Sequence, residues 1–143
     1  MTVSIILAGK GREVVTIEPN ATLAAAVELL AEKRIGAVVI VGADRRIVGI
    51  LSERDIVRAL AEQGRKALDE PVSAAMTRKV STCHERETIS SIMERMTLGK
   101  FRHVPVVDQG RLAGIISIGD VVKHRLSEVE RDSAAMRDYI LTA

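Results

Sequence analysis

A chain of 143 residues suffices for one ordinary domain or two small repeats sharing a core, and at this size folding requires neither disulfides nor metal. Its 21 Lys+Arg against 19 Asp+Glu leave a net charge of +2, and its only aromatics are Phe101 and Tyr139, so electrostatic or stacking-based binding of nucleic acid or a membrane surface is not expected. A single cysteine, Cys83, excludes an intramolecular disulfide, and Met1–Ala8 is too short for a secretory or spanning segment, which together suggest a reducing, cytoplasmic setting.

Val3–Leu7 reads as a short helical lead-in, and Val14–Ile17 as a β-branched strand ended by Pro19-Asn20. Thr22 is placed to cap a helix whose Leu23, Ala26, Val27 and Leu30 follow the spacing of one helical face, with Gly36 as its end. Ala37–Val41 is apolar throughout, as a strand buried on both faces would be. A turn, a strand at Ile47–Leu51 and a helix at Glu53–Gln63 complete this unit. Gly64–Val72 is a linker broken by Gly64 and Pro71, and Val72–Met76 is a second helical lead-in. There follow a strand at Val80–Cys83, a helix carrying Ile89, Ile92, Met93 and Met96, strands at His103–Val107 and Leu112–Ser117, and a closing helix. Asp120–Leu141 contains no Gly or Pro, so that last helix is expected to run on past the unit.

The two units are copies of one another. Gly49-Ile50-Leu51-Ser52-Glu53-Arg54-Asp55 returns as Gly114-Ile115-Ile116-Ser117-Ile118-Gly119-Asp120 at an offset of 65, while Thr16 and Thr22-Leu23 match Thr82 and Thr88-Ile89 at an offset of 66. The one-residue slip falls in the hairpin turn, where Gly42–Arg46 faces the shorter Asp108–Arg111. The expected organisation is a first repeat over 3–63, a linker over 64–71, a second repeat over 72–126 and a helical extension over 127–143. The two repeats should share sheets in one α+β body with pseudo-two-fold symmetry.

The repeated pattern resembles the cystathionine β-synthase (CBS) domain, which occurs in pairs known as Bateman modules. The most specific marks are Gly49–Asp55, Gly114–Asp120 and Arg102-His103-Val104-Pro105-Val106-Val107-Asp108, and the likeness runs from about Val3 to Leu126. It implies a stand-alone CBS pair of bacterial type, with no obligatory cofactor and with AMP, ADP, ATP, NAD(H) or S-adenosylmethionine as a regulatory ligand in clefts between the repeats. One cleft would combine Ser52, Arg54 and Asp55 with Val80, Ser81, Thr82, Phe101, Arg102 and His103. The other would combine Ser117 and Asp120 with Val14, Val15, Thr16, Ile35, Gly36 and Ala37. The resemblance further implies a sensor that signals to a separate effector protein and associates as a homodimer through helical faces; an interaction scaffold with empty clefts is the alternative.

Elementary chemistry bears on both readings. Ser52 and Ser117 begin helices, whose free N–H groups suit a phosphate, and an aspartate three residues on can accept both hydroxyls of a ribose. Ser-x-x-Asp is also a capping box, in which the carboxylate merely satisfies the helix start. Arg54 and Arg102 should bias the Asp55 cleft toward phosphate-rich ligands, whereas the neutral Ile35-Gly36-Ala37 should let the other accept less charge. Gly9-Lys10-Gly11-Arg12 lacks the ending of a phosphate loop and reads as a turn, although Lys10 can still lie near a phosphate. Cys83 and His84 should point to opposite faces of a strand, and no nucleophile–base pair or metal-ligand cluster emerges, so no enzyme is expected. Along the last helix, Val122, Leu126, Val129, Met136 and Ile140 form an apolar stripe suited either to a dimer seam or to the chain's own core.

Overall fold

A computed structural model describes residues 1–142 of the chain, so Ala143, the last residue of the expected extension, lies outside the described residues. The element order is α1 (Val3–Lys10), β1 (Thr16–Ile17), α2 (Leu23–Lys33), β2 (Ala37–Val41), β3 (Ile47–Ser52), α3 (Glu53–Gln63), α4 (Val72–Ala75), α5 (Ile89–Gly99), β4 (His103–Asp108), β5 (Arg111–Ser117) and α6 (Ile118–Thr142). A 3-10 segment, Gly64–Asp69, fills most of the expected linker.

The repeats fold alike because their local signals are alike. Thr22 and Thr88 cap α2 and α5 in the same way, each hydroxyl accepting from a backbone N–H three residues on, at 3.1 Å in both. Both helices end on a long basic residue in the left-handed conformation, Arg34 (φ 55°) and Lys100 (φ 57°). Gly36, expected as the stop, lies two residues beyond Arg34, immediately before the following strand. A non-glycine residue held there is strained, and its recurrence in both repeats ties it to the geometry of the helix–strand corner.

β2 and β3 form an antiparallel hairpin, as do β4 and β5, with register shifts at Ile40/Val41 and Val106/Val107. The second hairpin turns on Gln109 (φ 52°) and Gly110 (φ 78°), the two positive-φ residues a two-residue turn demands. The first carries the extra residues in a 3-10 turn at Ala43–Arg45, where the one-residue slip was expected. β1 pairs in parallel with β2, but its counterpart in the second repeat is reduced to a single bridge between Cys83 and Val106. The strand expected over Val80–Cys83 is therefore largely extended chain, and the one over Val14–Ile17 is limited to its last two residues.

Joining of the repeats differs from the expected shared sheets. Every named strand pairs within its own repeat, in a sheet ordered β1-β2-β3 and another of β4-β5. What crosses over are the lead-in helices. Val3, Ile6 and Leu7 of α1 are buried in one core with Ile89, Ile92, Met96, Val104 and Ile116, whereas Val72 of α4 is buried with Leu23, Leu30, Val38, Ile40 and Leu51. Backbone bonds repeat the exchange: Leu23 N donates to Glu70 O (2.8 Å) and Ile89 N to Met1 O (3.1 Å). Each lead-in thus completes the core of the repeat it does not precede, which holds the pair together chiefly by burial, with an isolated bridge between Ile50 and Thr77 across the seam. Among the described residues no helix is long and apolar enough to cross a membrane.

Candidate functional site

Between the repeats lies a cleft of about 550 Å³, in the range of small-molecule sites. Its floor is set where β3 passes into α3. Ser52 is the N-cap of α3 and Asp55 stands on its first turn, forming the reciprocal capping box. Ser52 N and Oγ donate to Asp55 Oδ2 at 2.9 and 3.1 Å, and the Thr77 hydroxyl from the second repeat donates to Oδ1 at 3.1 Å. Arg58, one turn along α3, stands 3.5 Å from the same Oδ1. Among the described residues Asp55 is the one charged side chain that is buried, at 5% exposure, and each of its oxygens has a partner. Thr77 reaches it because its backbone pairs with Ile50 of β3, N to O at 2.9 Å and O to N at 3.0 Å, across the seam between repeats.

The opposite wall comes from the second repeat. Val80, Ser81, Phe101, Arg102 and His103 line the cleft as the resemblance implies, joined by Lys79, Gly99 and Lys100. Thr82 does not line it; its carbonyl instead accepts from Arg95 at 2.9 Å. Gly36 and Ala37, assigned to the other cleft by the resemblance, line this one, since Ala37 pairs with Ser52 and Gly36 O accepts from Glu53 N at 3.1 Å. Arg54 Nη1 donates to Lys100 O at 3.2 Å and so ties the two walls together. Five cations, Arg54, Arg58, Lys79, Lys100 and Arg102, face the cleft against the carboxylates of Glu53 and Asp55, giving it a positive field. Of these, Arg58, Lys79 and Lys100 escaped sequence reading. Arg58 lies one helical turn after Asp55, and Lys79 adjoins Val80, so spacing alone held the signal for both.

At the corresponding strand–helix junction of the second repeat, Ser117 and Asp120 repeat the capping arrangement. Ser117 N donates to Asp120 Oδ2 at 2.9 Å, and Asp120 N donates to Ser117 Oγ at 3.2 Å. Lys10, from the end of α1, adds a third partner: its Nζ donates to the same Oδ2 at 2.7 Å and to Ile115 O at 3.1 Å. Partial burial disfavours ionisation of Asp120, but the hydrogen bonds from Lys10 and Ser117 and the Lys10 charge outweigh it and hold the carboxyl below its usual range. Val14, Val15 and Thr16 run beside β2, with Val15 O accepting from Val39 N at 3.4 Å. Ile35 lines a separate apolar groove between α2 and α3.

His103, in the wall of the Asp55 cleft, stands close to both Gly36 and Ser117. A Cβ at Gly36 would lie 3.5 Å from its Cε1, and Ser117 is its partner in the β4–β5 register. Burial, then the Lys10 charge, lower its pKa against the opposing pull of Glu53. Cys83 is buried, and burial followed by the Glu87 charge pushes its thiol up to about 12. A thiol so resistant to ionisation is a core residue and no nucleophile.

Comparison with known proteins agrees with the architecture. The CBS domain model matches residues 11–62 and 72–127, leaving α1 outside the first match. A 17.7 kDa protein of Acidianus ambivalens is 34% identical over 112 residues, covering 78% of this chain and 66% of its own length, so the chain spans just under two-thirds of that relative. The crystal structure of the CBS-domain containing protein ATU1752 from Agrobacterium tumefaciens superposes with a TM-score of 0.84 at 50% identity, covering 87% of this chain and 99% of that one. The CBS domain pair of protein MJ0100, solved in complex with 5′-methylthioadenosine and S-adenosyl-L-methionine, gives a TM-score of 0.79 at 28% identity over 90% of this chain and 98% of that one. With two matched repeats in tandem and the pair architecture around one inter-repeat cleft, the chain belongs to the CBS domain family.

Proposed function

We propose that the chain is a regulatory module that binds a phosphate-bearing adenine nucleotide (AMP, ADP, ATP or NAD(H)) between its repeats and passes that occupancy to a partner protein. The observation that carries this reading is the charge of the Asp55 cleft, five cations against two carboxylates around a helix start. Phosphate oxygens would meet Arg54, Arg102 and the N–H groups of α3, while Asp55 accepts the ribose hydroxyls. Val80, Phe101 and Ala37 supply apolar surface for a base, flanked by Ser81 and His103. Ser117 and Asp120, with Val14, Val15 and Thr16, offer a second cleft of the same design. The MJ0100 pair, solved in complex with two adenine-bearing ligands, supports an adenine-bearing ligand here. The positive field here disfavours the sulfonium of S-adenosylmethionine and ranks that ligand behind nucleotides.

Both walls of the cleft come from different repeats, so a ligand touching Asp55 and Arg102 together biases the angle between them if it binds one arrangement better. That change is available to an effector protein without any chemistry in this chain. A homodimer fits the same scheme. Val122, Leu126, Val129, Met136 and Ile140 of α6 are 40–65% exposed, so the stripe is not consumed by the chain's own core and a second copy is its natural cover.

The scaffold alternative draws on a specific observation as well: both oxygens of Asp55 already have partners, as a pure helix cap would. Calorimetry with AMP, ADP, ATP, NAD(H), adenosine and S-adenosylmethionine separates the two. Binding of the phosphate-bearing members is expected, and silence across the panel at millimolar ligand leaves only the scaffold.

A further inference from the structure

The two repeats close the end of their capped helix differently. At the end of α2, Arg34 N and Ile35 N both donate to Leu30 O, the latter at 3.1 Å, so backbone bonds fix the turn into β2. At the end of α5 neither bond has a counterpart among the described residues, although Lys100 takes the same left-handed conformation as Arg34. Two side chains hold that corner instead. The ring of Phe101 lies over Gly99, where an added Cβ would collide with it. From the other repeat, Arg54 Nη1 donates to Lys100 O at 3.2 Å, at the partially negative end of α5. Among the described residues Arg54 is exposed and makes no ion pair, so a neutral carbonyl is its one polar partner. Under the 65-residue offset its counterpart is Gly119, which has no side chain to reach the Arg34 corner. Arg54, Gly99, Lys100 and Phe101 all line the Asp55 cleft.

We propose that Arg54 is a latch on the α5–β4 corner, and that a phosphate bound in the Asp55 cleft draws it off Lys100 O and frees residues 98–102. The latch itself needs no ligand; its release rests on the nucleotide reading of the cleft. A phosphate oxygen forms a charge-assisted bond with a guanidinium, about twice as strong as the bond to a neutral carbonyl. Lys100 O is exposed enough for water to take the place of Arg54, so giving it up costs little. The corner then has no backbone bond across its turn and a non-glycine residue in a strained conformation, and it loosens. Leu98, 76% exposed on the last turn of α5, moves with it and carries the change to the protein surface. Adenosine has no group that competes for Arg54 and leaves the latch closed. The signal is thus tied to the phosphate and emerges from the second repeat alone.

Amide hydrogen exchange and the Lys100 carbonyl carbon shift, measured by NMR on the full chain, test this in the wild type and in Arg54→Met, which keeps the length of the side chain but donates nothing. Circular dichroism confirms that the variant is folded. Without ligand, Arg54→Met should raise exchange at Leu98 and Gly99 about two- to tenfold, the worth of one hydrogen bond, and shift the Lys100 carbonyl. The equivalent amides of the first repeat, Glu32 and Lys33, should not change. In the wild type, AMP or ATP at saturation should produce the same rise, adenosine should not, and either nucleotide added to Arg54→Met should loosen the corner no further. Equal exchange at Leu98 and Gly99 in the two unliganded proteins overturns the latch. A corner left unchanged or slowed by a nucleotide that calorimetry shows to be bound overturns the release while the nucleotide reading stands. Absence of binding by AMP and ATP overturns that reading and the release with it, and the unliganded comparison still decides the latch.

Discussion

Asp55 is the residue at which the cap and the ligand readings part, and Asp55→Asn separates them. The substitution preserves shape and one acceptor oxygen, so Ser52 N can still be satisfied, but it removes the charge and places an amide donor where an acceptor stood. In the folded chain two contacts change, both at Oδ1: the bond from Thr77 Oγ1 (3.1 Å) and the Arg58 pairing at 3.5 Å. Arg58 is well exposed and its share is small. Loss of a helix-start acceptor costs about 1 kcal/mol, so the fold should survive with a modestly lower urea midpoint. If Asp55 holds a ribose, the variant also loses charge-assisted bonds worth about 1.5–3 kcal/mol, which is roughly a 10- to 150-fold weaker Kd. Calorimetry with AMP on the refolded, monodisperse variant reads that directly. Ser52→Ala is the companion, because it removes half of the cap and keeps the carboxylate. An affinity unchanged in Asp55→Asn, with stability lowered as in Ser52→Ala, would return Asp55 to a purely structural cap and refute the reasoning.

Replacing Arg54 and Arg102 with Gln should weaken AMP and ATP by tenfold or more but adenosine little, and equal losses for adenosine and AMP in calorimetry would mean that the arginines only shape the cleft. Deleting Glu130–Ala143 removes Met136 and Ile140 from the exposed stripe and should shift a dimer toward monomer in sedimentation; a full-length chain already monomeric at tens of micromolar contradicts the α6 seam. Because the Asp120 carboxyl is held below its unfolded pKa, its contribution to stability is complete above about pH 4 and is lost as pH falls through the folded value. Lys10→Met should therefore flatten part of the acid limb of a stability–pH curve measured by urea midpoints, and an unchanged limb would mean that the Lys10 contact carries no linkage. His103 carries the same sign in a higher window. Its folded pKa lies below that of the unfolded chain, so acidification from the unfolded value near 6.5 should destabilise the protein, and His103→Gln should lessen that slope.

Local chemistry was legible wherever a short stretch of chain decides the outcome. The threonine caps, the 3.6-residue stripes of α2 and α5, the apolar β2 and the length difference between the hairpin turns all follow from residues within a few positions of one another. The duplicated Ser-x-x-Asp was equally visible, and with it the floor of the cleft. Residues of the second wall, such as Val80, Arg102 and His103, came through the family resemblance, because nothing local says which surfaces will face each other.

Tertiary structure alone decided the rest, for the reason that partner choice is a long-range property of buried area. Eight residues of α1 carry enough apolar surface to fill a core but no mark of which core, and they complete the second repeat rather than the first. That exchange carries Lys10 to Asp120, 110 residues away in the chain, and the stretch expected as a Gly-Lys-Gly turn is instead the end of α1, with Lys10 in an ion pair. Gly36 and Ala37 face Ser52 because β2 and β3 pair in one register, whereas the helix stop fell to Arg34, where the corner between α2 and β2 needs a left-handed residue whatever its side chain. The stripe on α6 belongs to the same class: its spacing marked one apolar face, and only the packed fold left that face open to water.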